Sequence, residues 1–93
     1  MPFVYLVRCR GGSLYAGAAV DLDRRLKEHL AGRASRYTRA RLPVELVWSR
    51  EVSSWGDALR EEARLKRLPK QAKEALVLTG RAVEIGRTSA DSR

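Results

Sequence analysis

The side chains of this 93-residue chain with the most chemical reach are two tyrosines in its first segment, Arg25 and His29 one helical turn apart, and Glu62 further on. Advancing about 100° per residue along 22–30, Leu22, Leu26 and Leu30 define a stripe to be buried, centred near Leu26. Arg24, Lys27 and Glu28 fall on the far side. His29 lies inside the stripe and Arg25 borders it, so the two share a face. A satisfied core histidine beside an arginine stem laid on apolar surface would look the same.

Glu62 is the sharper anomaly. Trp55, Ala58, Leu59 and Leu65 form the apolar face of a second helix, and Glu62 falls near its middle, while Glu61 lies towards the edge and Arg60 and Arg64 point away. An unpaired carboxylate aimed into a core costs several kcal/mol, roughly. A buried Glu62–Arg25 bridge would remove that cost. Phosphoryl chemistry also needs such a pair, one group to hold a cation and the other to neutralise charge on pentavalent phosphorus. One Cys and one His exclude a four-ligand structural zinc site, so a metal here is a hard ion held by oxygen.

Tyr5 and Tyr15 belong to a hairpin, where tyrosine ordinarily packs. A two-residue turn would place them on opposite faces, and a three-residue turn with a bulge on the same face. Gly11-Gly12 permits either. The segment 33–41 carries four arginines, Arg33, Arg36, Arg39 and Arg41, around Tyr37 and Thr38. Arginine grips phosphate bidentately and an interleaved aromatic stacks on a base; a solvated basic loop is the plainer alternative.

These groups need a scaffold. Residues 3–9 are β-branched and aromatic and predict a strand, 10–13 a turn, and 14–18 the return strand. Asp21 caps a helix over 22–30 that Gly32 ends. A basic loop over 31–42 leads past Pro43 to a third strand at 44–52. Ser53 or Ser54 caps a helix to about Leu68, and Pro69 opens another to about Leu78. The order β-β-α-β-α-α predicts an α+β domain, a three-stranded, mainly antiparallel sheet flanked by helices. It would occupy residues 1–79, with 80–93 a polar, loose tail.

The length fits one domain. Nineteen Lys and Arg against eleven Asp and Glu give a formal charge of +8, which favours polyanions, nucleic acid before an anionic membrane. No apolar run reaches the roughly 20 residues that span a bilayer. Cys9, the one cysteine, has no internal disulfide partner, and the N-terminus has no cleavable leader, so the chain reads as cytoplasmic.

Phe3-Val4-Tyr5 and Tyr15-Ala16-Gly17 stand where the GIY-YIG nuclease family has its two name-giving triplets. Residues 15–29 resemble that family's strand-to-helix passage with its Arg…His pair, and 58–66 resemble the helix carrying its metal-binding glutamate. The sequence is similar to short stand-alone bacterial members over residues 3 to about 78. Phe3 replaces the leading glycine and Ala16 a bulkier residue, and neither change removes a reactive group. The resemblance implies a GIY-YIG fold with its site on one sheet face. Tyr5 would position phosphate or water, Tyr15 would help activate the nucleophile, and Arg25 would steady the phosphate. His29 would assist proton transfer or bind phosphate, and Glu62 would hold Mg²⁺ or Mn²⁺. The implied activity is metal-dependent endonuclease cleavage of DNA, branched, nicked or single-stranded, with low sequence specificity, in repair or processing. A protein partner could add specificity. The alternatives are a non-cutting nucleic-acid-binding module of the same fold and an adaptor that meets proteins through its basic surface.

Overall fold

A computed structural model describes the backbone of residues 1–91 and the side chains of residues 1–80. Strands β1 (Phe3–Arg8), β2 (Leu14–Ala19) and β3 (Glu45–Glu51) form one antiparallel sheet in the order β2-β1-β3. The most apolar strand thus lies in the centre, and β2 forms an edge.

The hairpin turn has three residues. Cys9 N–H donates to the Ser13 carbonyl at 2.8 Å, and Gly11 and Gly12 adopt φ of 90° and 97°, which a side chain would resist. The register pairs Tyr5 with Gly17 and Val7 with Tyr15. Both tyrosines therefore lie on one face, and the alternative left open by Gly11-Gly12 is decided.

Period-two alternation sorts the strands into two layers. Val4, Leu6, Leu14 and Ala16 pack with Ala58 and Leu65 of helix α3 (Trp55–Arg67) and Val77 of α4 (Lys70–Asp91). On the other face, Tyr5, Val7, Cys9, Ala19 and Val44 pack with Leu22 and Leu26 of helix α1 (Leu22–Leu30) and with Tyr15. Asp21 caps α1 by accepting from Arg24 N–H at 3.1 Å, and Ser54, rather than Ser53, caps α3. Gly32 follows α1 with φ 76°.

Three features depart from the sequence expectation. The basic loop contains a short helix, α2 (Arg36–Arg39), because Ser35 accepts the Thr38 N–H and supplies a cap. Helix α4 runs well past Leu78 to Asp91. Of the expected loose tail, the backbone of 80–91 belongs to α4, while the side chains beyond residue 80, and residues 92 and 93 altogether, lie outside the described residues. The predicted apolar stripes are also redistributed. Leu30 is 52% exposed, and His29 rather than Leu26 is the fully buried residue of α1. On α3, Ala58 and Leu65 are buried while Trp55 and Leu59 are 43% and 44% exposed. That helix does not present one apolar face to the core. It presents a core stripe and, beside it, an apolar wall open to solvent.

Candidate active site

The wall of Trp55 and Leu59 borders a cleft of about 210 Å³, also lined by Tyr5, Tyr15, Gly17, Ala18, Arg25, His29, Ala34 and Glu62. Helix α3 packs against the edge strand β2 from one layer, and α1 lies in the other. Their side chains meet across that edge. All five residues singled out for reaction chemistry line this one cleft.

Tyr5 forms its floor, only 3% exposed, and its hydroxyl lies 2.9 Å from His29 Nε2. The ring lies directly over Gly17, its cross-strand neighbour, where a Cβ would collide with the phenol oxygen and ring carbons. Glycine at 17 is a condition for Tyr5 to sit there. Burial pushes the Tyr5 phenol well above its ordinary range; Arg25 opposes the shift, and Tyr15, Glu62 and Glu28 add to it.

His29 is 1% exposed. Its ring meets Tyr5 and Tyr15 edge-on, each with centroids 5.7 Å apart, and its Nδ1 lies 3.0 Å from Thr38 Oγ1. Burial, then the Arg25 charge, hold its pKa below the usual 6.5, against a smaller upward pull from Glu28. The imidazole is therefore neutral at physiological pH and can accept a proton. Thr38, completely buried, is a site residue that sequence reasoning passes over among the arginines. The Ser-x-x-Thr spacing is its available signal, since a serine that accepts the backbone N–H three residues on starts a helical turn there.

Tyr15 is half-buried, and Tyr37 stacks on it with centroids 5.7 Å apart and planes at 21°. The Arg41 guanidinium lies over the outer face of Tyr37, 3.8 Å from its centroid. Tyr37 and Arg41 thus buttress the cleft through Tyr15, while Arg33, Arg36 and Arg39 are exposed on the segment that gives the cleft Ala34.

Arg25 and Glu62 do not pair among the described residues. Arg25 Nε lies 3.5 Å from Glu28, and Glu62 lies 3.5 Å from Lys66 Nζ. Nor is Glu62 buried: its side chain is 22% exposed, so it escapes the full desolvation cost argued from the helical wheel. Its position suits a different task. The cleft offers a hard cation one carboxylate, and no cluster of three His, Cys, Asp or Glu side chains forms among the described residues. That set fits Mg²⁺, which commonly keeps several waters and takes one or two carboxylates plus substrate phosphate oxygens.

The family model for the GIY-YIG catalytic domain matches residues 1–75, and the chain belongs to the GIY-YIG family, a family of nucleases. It is similar to a UPF0213 protein of Vibrio cholerae, 47% identical over 76 residues, covering 81% of this chain and 75% of that one. A UPF0213 protein of Halobacterium salinarum is 42% identical over 76 residues, 82% of this chain and 99% of its own. Among solved structures, the solution NMR structure of a UPF0213 protein from Bacillus halodurans matches with a TM-score of 0.55 at 40% identity, covering 85% of each chain. No helix among the described residues is long and apolar enough to cross a membrane.

Proposed function

We propose that this protein is a metal-assisted endonuclease that hydrolyses phosphodiester bonds in DNA with little sequence preference. The observation that carries the reading is the convergence of two phenols, an imidazole, a guanidinium and one carboxylate on a single cleft of a strongly basic chain. Arg25 would meet the non-bridging oxygens of the phosphate and lower the cost of charge building there. Tyr5 would receive a hydrogen bond from the attacking water. As water attacks phosphorus, its proton would pass to Tyr5 Oη while the phenol proton passes to His29 Nε2. The opposite P–O bond breaks, and the imidazolium proton is later lost to the leaving oxygen or to solvent. Tyr15, with more solvent access, would orient the same water or the phosphate beside it. Glu62 would hold Mg²⁺ or Mn²⁺, which when bound supplies Lewis-acid stabilisation of phosphate charge.

The exposed Arg33, Arg36 and Arg39 would bind the DNA backbone, a mode that recognises charge and shape rather than base order. Nicking of supercoiled plasmid tests the reading. Cutting with Mg²⁺ or Mn²⁺ that is lost in Glu62→Ala, with DNA binding kept, supports it. The ion pair of Glu62 with Lys66 favours a second reading, a binding module of the same fold. Binding without cutting under every metal condition would establish that instead.

A further inference from the structure

Thr38 is wholly buried on a four-residue helix whose other members, Arg36, Tyr37 and Arg39, are exposed. Its Oγ1 approaches three polar atoms: His29 Nδ1 at 3.0 Å, Ser35 Oγ at 2.9 Å and the Ser35 carbonyl at 3.4 Å. We propose that Thr38 is a positioning residue: its hydroxyl accepts the Nδ1–H of His29 and so holds the imidazole in the tautomer whose bare Nε2 faces Tyr5.

A neutral imidazole carries one N–H, and the partner of one nitrogen decides the state of the other. The Thr38 proton has outlets at Ser35, whose carbonyl can only accept, which leaves an Oγ1 lone pair for Nδ1–H. Across the ring, the buried Tyr5 hydroxyl has His29 as its hydrogen-bond partner among the described residues. Were Nε2 protonated, the phenol proton would have no protein acceptor there. Among the protein groups alone, one arrangement gives each of these protons an acceptor: Tyr5 O–H donates to Nε2, Nδ1–H to Thr38, and Thr38 O–H to Ser35. The ionisable groups around the imidazole are Tyr5 on β1, Tyr15 on β2, and Arg25 and Glu28 on its own helix.

The consequence for cleavage rests on the nuclease reading, but the central measurement does not. The chain has one histidine, so nitrogen-15 correlation spectra of the imidazole in the whole protein give one unambiguous set of signals. At pH 7.5 the wild type should show Nδ1 protonated and Nε2 bare. Thr38→Val should move population to the Nε2–H form and lower kcat about tenfold or more with KM little changed, and Thr38→Ser should restore both. A dominant Nε2–H form in the wild type, or an unchanged spectrum in folded Thr38→Val, overturns the proposal. The wild-type spectrum decides even if the valine variant fails to fold. A locked Nδ1–H form in a protein that cuts no DNA would refute the nuclease reading alone. Mixed tautomers in an active nuclease would refute the role of Thr38 alone.

Discussion

The hydroxyl of Tyr5 and Nε2 of His29 stand 2.9 Å apart, tying the central strand to the first helix with both rings out of solvent. Removing the hydroxyl should be felt twice. Tyr5→Phe leaves a buried ring nitrogen without its partner, a cost of about 1–3 kcal/mol, and should lower plasmid nicking about a hundredfold or more. Urea unfolding and initial nicking rates measure the two effects separately, and a variant of wild-type stability and rate would refute the link.

Gly17 and Tyr5 occupy one space across the hairpin. Gly17→Ala should destabilise the fold by about 1–3 kcal/mol through overpacking, with much of the loss recovered in Tyr5→Ala/Gly17→Ala relative to Tyr5→Ala alone. Urea midpoints for the four-protein cycle check this. Purely additive costs would mean that the ring and the backbone do not compete.

The stability of the fold should depend on pH through the same pair. The folded pKa of His29 is lowered, so its contribution is fully present above the unfolded value of about 6.5 and is lost as pH falls through the folded value. The Tyr5 pKa is raised, so its contribution is fully present below about pH 10 and is lost as pH rises through the folded value. The urea midpoint should decline from pH 7 to 5 in the wild type, and less steeply in His29→Gln. Identical slopes in the two proteins would assign the acid loss to other groups.

The exposed arginines beside the cleft predict a salt effect. Replacing Arg36 and Arg39 with Ala should weaken DNA binding similarly across sequences, and reduce the slope of log affinity against log salt by about 1 for each phosphate no longer neutralised. Fluorescence anisotropy in EDTA at several salt concentrations reads this without cleavage. An unchanged slope would mean that other cations neutralise the DNA backbone.

Helix α3 offers a contrast between its two apolar stripes. Leu65→Ala should cost about 2–5 kcal/mol as a cavity in the core, whereas Leu59→Ala, at 44% exposure, should cost less than about 1 kcal/mol. Comparable losses in urea would return Leu59 to the core.

That contrast marks the limit of what is legible in the sequence. Apolar spacing locates the strands, α1 and α3 well, and Asp21 and Gly32 bound α1 as expected, since caps and periodicity are local signals. Glu62 and His29 stand out because they interrupt a stripe, and Arg25 because it borders one on the same face as His29. The stripe itself divides differently in the fold: a wheel separates apolar from polar, but it cannot separate a wall facing the interior from one facing a cleft. Trp55 and Leu59 depend on where β2 ends the sheet, which is tertiary information. Helix α2 and buried Thr38 are hidden by arginines, whose charge dominates composition while their side chains point outward.

The register across the turn at Arg10-Gly11-Gly12 carries a consequence for related sequences. Because opposed residues of an antiparallel pair share a face, a slip of the hairpin by one residue, so that Tyr15 no longer stands opposite Val7, would turn Tyr15 into the aliphatic layer against Ala58 and Leu65 and bring Leu14 or Ala16 round beside the imidazole. A residue gained or lost within the turn alone, with Val7 still opposite Tyr15, leaves both phenols on one face. Relatives that keep both phenols working together should therefore accept turns of odd or even length, while the partner across the ladder from the second tyrosine stays two residues after the first.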